Sequence, residues 1–252
     1  MKIASWNVNS LKVRLEHVVN WLSENQPEVL CLQETKTEDA NFPLRELQQA
    51  GYQVLFCGQK TYNGVAIISK FEAKDVQYGL PNFEDAQKRM IAATVNNIRI
   101  VCVYIPNGES PESDKYQYKL SWLSALQEWL KDELLRYPKL ALLGDFNIAP
   151  EDRDVYDPVA WVGKILVSGP ERGAFQGMLQ SGLRDTFRLF EHPEKSYSWW
   201  DYRMMGFRRN HGMRIDHILI SQALECSASG IDKTPRKLER PSDHTPVWAE
   251  VS

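Results

Sequence analysis

Cysteine is scarce in this sequence: there are four among 252 residues, and none of them forms a Cys-x-x-Cys pair. That absence argues against a zinc site and against thioredoxin-type redox chemistry. Cys31, Cys57 and Cys102 lie within apolar runs, where a cysteine usually acts as a small buried hydrophobe. We therefore expect reduced thiols rather than a disulfide framework.

Long hydrophobic runs are also missing. No apolar stretch approaches the roughly 20 residues that a membrane-spanning helix needs. The residues that follow Met1 lack the charged region and the apolar region of a signal peptide. We expect a cytoplasmic protein with no membrane partner.

An excess of positive charge is lacking as well, because 30 Lys and Arg stand against 33 Asp and Glu, for a net charge of −3. Nucleic-acid binding needs clustered Lys and Arg that neutralise phosphates, so the overall charge does not favour it. A DNA enzyme of this composition has to gather its basic side chains on one face. Net charge alone therefore decides nothing about function.

No low-complexity segment or break in composition divides the chain, and we expect a single domain over residues 1–252. Short apolar runs alternate with amphipathic stretches. The pattern predicts strands at 2–8, 29–33, 52–57, 64–70, 98–104, 140–144, 197–199, 214–221 and 246–251, and helices at 11–23, 44–50, 116–135 and about 170–180. This order favours an α/β (α+β) fold, a four-layer sandwich in which helices flank two packed mixed β-sheets.

Polar residues recur where the apolar strands end, which is where loops present functional groups. Residues 29–34 and 140–145 are alike, since both are apolar strands that end in a carboxylate, Glu34 and Asp145. The likeness indicates two similar βα halves whose strand ends converge on one site. Seven polar segments of this kind occur, at residues 6–9, 33–36, 62–66, 104–108, 144–150, 214–217 and 241–247.

Together, in this order, the seven segments resemble the exonuclease III class of apurinic/apyrimidinic (AP) endonucleases, within the deoxyribonuclease I-like endonuclease/exonuclease/phosphatase superfamily. The resemblance runs from Met1 to about Glu250. It implies a Mg²⁺-dependent DNA-repair phosphodiesterase that cuts DNA at abasic sites, or removes nucleotides and blocking groups from 3′ ends, and leaves a 3′-hydroxyl in base excision repair. The implied partner is double-stranded DNA with such lesions, and the expected state is a monomer.

Phosphodiester hydrolysis needs a cation near the non-bridging oxygens, and Mg²⁺ prefers oxygen ligands. By resemblance Glu34 is the leading ligand, and Asp243 is a further ligand or a water-bridged partner. Mn²⁺ is expected to substitute for Mg²⁺. The alternative for Glu34 is a strand-end carboxylate that caps the following helix, but the other ligands stand in family order. The metal set that the resemblance implies is Asn7, Glu34, Asp145, Asn147, Asp243 and His244.

The resemblance also implies the catalytic residues. Asp145 would activate or orient the attacking water, and Asn147 would bind the phosphate or hold the base, although an Asx-turn is the alternative for this pair. Asp216 would fix the tautomer of His244 and favour its charged form, so that the ring stabilises charge on the phosphate. Tyr104 would donate a hydrogen bond to the phosphate, or else be a half-buried aromatic. The other histidines lack this context and are expected on the surface or behind the site: His17, His192, His211 and His217.

A local basic stripe lies between residues 202 and 214, with four arginines and no carboxylate (Arg203, Arg208, Arg209 and Arg214). Apolar methionine side chains are interleaved with these arginines, and side chains of this kind can insert between base pairs and kink a duplex. By resemblance Trp199 and Met213 wall a pocket for a flipped-out abasic sugar. Of Trp199 and Trp200 at least one is expected in the core, because strand neighbours face opposite ways. The residues expected at the DNA are Lys36, Asn63, Asn107, Trp199, Arg203, Arg208, Arg209 and Met213, and Asn9 is expected to contact the site.

Residues 161–176 depart from the family pattern: the pair Glu171 and Arg172 is kept, but Gly173 and Ala174 replace bulky neighbours beside the expected DNA groove. Two alternative functions stay open. One is a Mg²⁺ phosphoesterase that acts on inositol phosphates or sphingomyelin, which the basic stripe disfavours. The other is a catalytically silent nucleic-acid-binding regulator, which predicts that ligands are missing. The sequence does not rank abasic-site cleavage against 3′-end processing.

Overall fold

Two six-stranded β-sheets face each other in the computed structural model, which describes residues 1–252. The strands are β1 (Lys2–Asn7), β2 (Val29–Gln33), β3 (Gln53–Cys57), β4 (Val65–Ser69), β5 (Ala73–Tyr78), β6 (Met90–Val95), β7 (Ile98–Tyr104), β8 (Leu140–Asp145), β9 (Leu183–Asp185), β10 (Trp199–Trp200), β11 (Gly212–Met213), β12 (Asp216–Ser221), β13 (Cys226–Ile231) and β14 (Val247–Val251). The first sheet has the order β13-β14-β1-β2-β4-β3, and the second has the order β5-β6-β7-β8-β12-β9. Strands β10 and β11 form a separate antiparallel pair.

The helices are α1 (Leu11–Asn25), α2 (Leu44–Gln49), α3 (Asp114–Arg136), α4 (Pro158–Trp161), α5 (Gly169–Gln180) and α6 (Gly206–Arg209). Four of them, α1, α2, α3 and α5, cover the outer faces of the two sheets. Helices α1 and α2 pack on the first sheet through one buried apolar cluster, and α3 and α5 pack on the second sheet through another. A third cluster fills the space between the sheets. The predicted four-layer sandwich is therefore confirmed.

Strand β8 shows why the sequence folds this way. Its side chains alternate, so that Ala141 and Leu143 face the opposite sheet while Leu140 and Leu142 face α3 and α5. Both faces are covered, and a strand in that setting is a continuous apolar run rather than an alternating one. The strands that the sequence pattern did not predict include the edge strands β5 and β13, in which small, polar or charged residues predominate.

The pairing of the strands brings polar residues to one end of the sandwich. Strands β1 and β2 are parallel, with Asn7 opposite Gln33, and β7 and β8 are parallel, with Tyr104 opposite Asp145. Strand β12 runs antiparallel to β8, so that its first residue, Asp216, lies opposite Asp145. Each sheet thus delivers the ends of its central strands to the same place.

Arg214 does not belong to the basic stripe, which corrects the sequence-based expectation. Its guanidinium is buried and contacts the carboxylates of Asp154, at 2.7 Å, and Asp185, at 2.8 Å. It also donates to Nδ1 of His217 at 2.9 Å, while Nε2 of that ring donates to the Ile148 carbonyl at 2.8 Å. His217 is therefore a buried neutral ring in a structural cluster.

No helix in the chain combines the length and the apolar character needed to cross a membrane. All four cysteines are free thiols, and Cys31 and Cys102 are buried between the sheets.

His217 should make the protein sensitive to acid. Burial, with help from the charge of Arg214, lowers the pKa of His217 to about 4, below its ordinary 6.5. The unfolded chain then binds more protons than the native chain between these values, so stability falls as the pH drops from 6.5 towards 4. The loss attributable to His217 is about 3 kcal/mol. His217→Gln keeps one acceptor and one donor but cannot charge.

We expect the urea unfolding free energy of His217→Gln to fall less steeply than that of the wild type from pH 7 to pH 4.5. His211→Gln, a change at an exposed histidine, is the control and should follow the wild type. Equal slopes for all three proteins would mean that His217 is not the group responsible.

Candidate active site

The two sheets are joined at their polar ends by the side-chain amide of Asn7. Its Nδ2 donates to Oε1 of Glu34 and to Oδ2 of Asp145, each at 2.8 Å. Its Oδ1 accepts from the backbone N–H of Asn9 at 2.9 Å. The predicted convergence of Glu34 and Asp145 is thus present, and it is the nitrogen of Asn7 that faces the carboxylates in this arrangement.

Lys36 and Asn9 complete the surroundings of Glu34. The Lys36 ammonium lies 2.8 Å from Oε2 of Glu34 and donates to Oδ1 of Asn9 at 2.6 Å. Glu34 and Lys36 both have a φ of 51°, in the left-handed region that such residues rarely adopt. Backbone strain of this kind persists where the surrounding structure enforces it, which is common at functional sites.

His244 lies between two carboxylates. Its Nδ1 contacts Oδ2 of Asp216 at 2.9 Å, and its Nε2 lies 3.7 Å from Oδ2 of Asp145. Burial works against charging the ring, but Asp216 and Asp145 outweigh it and raise the pKa of His244. Burial and the neighbouring carboxylates Asp216 and Glu34 raise the pKa of Asp145, against the opposing effect of His244. The ring is therefore a charged donor whose Nε2 points at Asp145.

Asn147 follows β8 with a φ of 50° and its side chain turns back to the site. Its backbone N–H donates to Oδ1 of Asp145 at 2.9 Å, which is the Asx-turn anticipated from the sequence. The side-chain Nδ2 also donates to Asp145 at 3.3 Å and to the Ile105 carbonyl at 3.0 Å, while Oδ1 accepts from Asn107 at 2.9 Å. The Asx-turn is therefore part of the site, because it directs the side-chain amide of Asn147 towards the Asp145 carboxylate.

Tyr104 stands at the end of β7, beside the same carboxylates. Burial, together with the charges of Glu34 and Asp145, raises the pKa of the Tyr104 phenol, which therefore keeps its proton as a donor. The Arg89 guanidinium lies 4.8 Å from the centre of its ring. A protonated phenol at the rim of an acidic cluster can donate to an incoming anion.

Asp243 lies beside the acidic cluster and is held by two donors. It accepts from Nδ2 of Asn9 at 2.9 Å and from Nε1 of Trp199 at 3.1 Å. Burial alone would raise the pKa of Asp243, but His244 and these two donors lower it. Asp243 stands behind the cluster that Glu34, Asp145 and His244 form, whose ligand atoms lie within 4.8 Å of one another.

The donor set fits a divalent cation. The site gathers the carboxylates of Glu34, Asp145, Asp216 and Asp243 and the cations Lys36 and His244. With all of them charged, two negative charges remain unbalanced, and a divalent ion would balance them. The facing oxygens of Glu34 and Asp145 are the ligands that Mg²⁺ prefers, whereas a charged His244 offers no lone pair.

Two residues expected at the DNA, Met213 and Asn63, are buried. Met213 is completely buried behind Trp199, so it cannot itself wall an open pocket, although Trp199 is half-exposed beside Asp243. Asn63 is buried and donates to Gln87 at 3.0 Å, with no contact to the carboxylates. Trp200 is the buried member of the tryptophan pair, as expected for one of the two.

Because Arg214 is buried, the exposed part of the basic stripe comprises residues 202–209, which we call the arginine segment. Arg203, Arg208 and Arg209 are exposed there, and so are Met204 and Met205, at 75 % and 55 %. Both methionines have left-handed backbone, with φ of 55° and 54°. The segment is anchored to the site by Tyr202, whose hydroxyl donates to the Pro241 carbonyl at 2.8 Å.

Sequence reasoning missed the residues that hold the site loops. Arg14 of α1 donates to the carbonyls of Asn9, at 2.5 Å, and Pro241, at 3.0 Å. Lys119 and Glu171 form a fully buried ion pair, which the sequence reasoning did not identify. The available signal was Lys119 itself, a charged residue within the apolar stripe of α3.

Comparisons with known proteins agree with this geometry. The model of the endonuclease/exonuclease/phosphatase family matches residues 4–244. The chain is 38% identical over 265 residues to exodeoxyribonuclease III of Haemophilus influenzae, with 99% of each chain covered. It superimposes on the 3′ phosphatase NExo from Neisseria bound to a product DNA hairpin, at a TM-score of 0.98, 49% identity, and 100% and 99% coverage. An AP endonuclease from Archaeoglobus fulgidus gives a TM-score of 0.95 at 38% identity, with 99% and 98% coverage.

The different settings of Glu34 and Asp243 lead to a prediction on ion binding. Glu34→Gln removes a charge that faces the cation position, so divalent-ion affinity should fall on the order of tenfold, or about 1.4 kcal/mol. Asp243→Asn removes a charge that two donors already satisfy and should weaken binding less. Titration calorimetry with Mg²⁺ and Mn²⁺ measures both. A larger loss of affinity in Asp243→Asn would make Asp243 the principal ligand.

Proposed function

The chain belongs to the endonuclease/exonuclease/phosphatase family, and from that premise we propose that it is a Mg²⁺-dependent DNA-repair phosphodiesterase of the exonuclease III type. It acts in the cytoplasm as a single-domain monomer on double-stranded DNA with abasic sites or damaged 3′ ends. The observation that carries the proposal is the meeting of Glu34 and Asp145 with the Asp216–His244 pair within one acidic cluster. A silent regulator would have no use for this intact set.

Mg²⁺, for which Mn²⁺ can substitute, would be held by Glu34 and Asp145, with Asn7, Asn147, Asp243 and His244 completing its surroundings. Such an ion supplies Lewis-acid neutralisation of the phosphate oxygens and stabilises the leaving oxygen. The remaining chemistry belongs to side chains of this protein.

Asp145 is the group that orients the attacking water and takes its proton. A buried carboxylate fixed next to the reacting water can serve as that base. Asn147 keeps Asp145 in position through its backbone and side-chain donors. Water then attacks phosphorus in line with the leaving oxygen, and a 3′-hydroxyl is released.

His244 and Tyr104 stabilise the charge that develops on the phosphate. The charged ring of His244 is held by Asp216 and needs no rearrangement to donate from Nε2. Tyr104, a neutral phenol beside the same carboxylates, is the second donor. Donors fixed in a water-poor site contribute more to the transition state than the same donors would in water.

DNA is the substrate that the surface around this cluster favours. The arginine segment presents Arg203, Arg208 and Arg209 with no carboxylate among residues 202–209, and such a patch neutralises phosphates. Lys36 and Asn107 line the site next to the catalytic groups. Trp199 offers a half-exposed face for an unstacked sugar or terminal nucleotide, with Met213 behind it.

Similarity to a 3′ phosphatase, to exodeoxyribonuclease III and to an AP endonuclease supports both 3′-end processing and cleavage at abasic sites. Three labelled duplexes separate them: one with an internal abasic analogue, one with a nick that ends in a 3′-phosphate, and one with an intact recessed 3′ end. Each is incubated with Mg²⁺, with EDTA as the control.

Cutting of the abasic duplex would establish an AP endonuclease. Release of phosphate from the nicked duplex, without cutting of the abasic duplex, would establish a 3′-end enzyme. No cutting of any duplex, together with hydrolysis of inositol phosphates or sphingomyelin, would overturn the proposal.

His244→Ala should lower kcat about 100- to 1000-fold, because a donor that acts on the transition state is removed. The Kd for duplex should stay within about twofold, since the ring acts on charge that develops only in the transition state. His192→Ala, at a ring stacked on Phe187 away from the site, is the control. A kcat near the wild-type value in His244→Ala would remove the ring from the mechanism.

Replacing Arg203, Arg208 and Arg209 by Gln together should weaken duplex binding at all sequences alike. The slope of log K against log salt should flatten by about 0.9 for each phosphate that the variant no longer neutralises. The matched control replaces three exposed basic residues at the far end of the second sheet and α3: Lys131, Arg136 and Lys139. An unchanged slope in the arginine variant would show that the segment does not contact phosphates.

A further inference from the structure

Lys119 is the most buried lysine of the chain, and its ammonium lies directly beneath the active-site loops. The side chain leaves the buried face of α3 and is completely inaccessible to solvent. Its Nζ donates to the carbonyl of Asn147 at 2.7 Å, to the carbonyl of Asn107 at 3.1 Å and to Oε1 of Glu171. A lysine has three N–H groups, and each has one partner here.

The two carbonyls belong to the two asparagines whose side chains touch in the active site. Asn107 lies in the loop after β7, and Asn147 lies in the turn after β8. Their side chains are linked by a 2.9 Å hydrogen bond, and Asn147 donates in turn to Asp145. Lys119 therefore fixes from below the spacing of the two loops that present these amides.

Glu171 extends this support to a third segment. Its carboxylate accepts from the backbone N–H groups of Leu166, at 3.1 Å, and Ser168, at 3.0 Å, and from the Ser168 hydroxyl at 2.6 Å. The Leu166 carbonyl accepts in turn from the backbone N–H of Ala149, two residues after Asn147. Lys119 and Glu171 thus clamp the loops at 107, 147 and 166 around one buried charge pair.

Such a pair is a poor device for stability alone. Moving two charges out of water costs several kcal/mol for each ion, and apolar replacements of buried pairs are often neutral or stabilising. The pair instead fixes the orientation of the loops, because an ammonium with three fixed acceptors allows only one arrangement of the carbonyls around it. That arrangement sets the position of Asn147 relative to Asp145.

We propose that Lys119, held by Glu171, is a positioning residue for phosphodiester cleavage. It fixes the Asn107 and Asn147 loops so that Asn147 holds Asp145 in line with the phosphate. The inference rests on the proposed function, since it concerns the turnover of that site. Lys119 touches no substrate and acts only through the two loops.

The chain contains its own matched control, a second buried ion pair on the same helix. Nε of Arg99 lies 2.6 Å from Oε1 of Glu133, and both side chains are 2 % exposed. Glu133 lies on α3 about 21 Å along the helix from Lys119. Arg99 lies on β7 about 16 Å before Tyr104, at the end of the strand remote from the site. Removal of this pair disturbs the same helix and sheet without reaching the loops.

The experiment compares Lys119→Met and Glu171→Gln with Arg99→Met and Glu133→Gln. For each protein, Tm is measured along with kcat, KM and Kd on the labelled duplex that the wild type cuts. Lys119→Met should lower kcat about tenfold to a hundredfold, because small displacements of positioned groups have effects of that size, while KM and Kd stay within about threefold. Glu171→Gln keeps the ammonium but weakens its anchor, and should lower kcat less.

The control variants should lower Tm yet keep kcat per folded molecule within about twofold of the wild type. The inference is overturned if Lys119→Met and Glu171→Gln lose activity only in proportion to their unfolded fraction, as the controls do, or keep the wild-type kcat. If Lys119→Met does not fold, Glu171→Gln alone decides. A wild-type protein that cuts no DNA would instead refute the proposed function, which separates the two failures.

Discussion

The amide of Asn7 is the one contact that joins the carboxylate of the first sheet to the carboxylate of the second. It lies 2.8 Å from both Glu34 and Asp145. The contact exists only because the cluster between the sheets brings the ends of β1, β2 and β8 to the same height. Two apolar layers that pack closely thus force acidic groups together where their strands end.

The electrostatics of the site follow from that crowding. Carboxylates held near one another and away from water favour the bound proton, which is why the pKa of Asp145 is raised. Burial lowers the pKa of His244, but the charges of Asp216 and Asp145 outweigh it and raise that pKa. The same crowding creates the demand for a divalent cation. One excess of negative charge at the joint end of the two sheets therefore accounts both for the raised pKa values and for the fit to a divalent cation.

Half of the catalytic and metal-site groups lie in loops, namely Glu34, Asn147, Asp243 and His244, and the conformations of these loops have to be enforced from outside. Glu34, Lys36 and Asn147 all have left-handed backbone, which costs of order 1 kcal/mol or more at each non-glycine residue. The opposing support is buried and polar: Arg14 beneath the loops at 9 and 241, and Lys119 beneath those at 107 and 147. Charged side chains thus hold these loops in place by donating hydrogen bonds to their carbonyls.

Local patterns in the sequence were enough to predict the layers and most of the site. Alternation along strands and spacing along helices are properties of neighbouring residues, so β2, β7, β8 and α3 were predicted to within a few residues. The carboxylates at the strand ends, with Asp216 and His244, were identified from short motifs, and the structure brings them together. These features depend on neighbours in the chain, which a sequence displays directly.

Which polar residues face the site and which are buried could be learned from the folded chain alone. Arg214 looked like part of a basic stripe, yet it pairs with Asp154, 60 residues away. Lys119 and Glu171 are separated by 52 residues, and nothing in the sequence pairs them before α3 and α5 pack together. Met213 and Asn63 likewise turn inward. The spacing of residues in the sequence does not reveal ion pairs such as these, because they form only after distant segments have folded against each other.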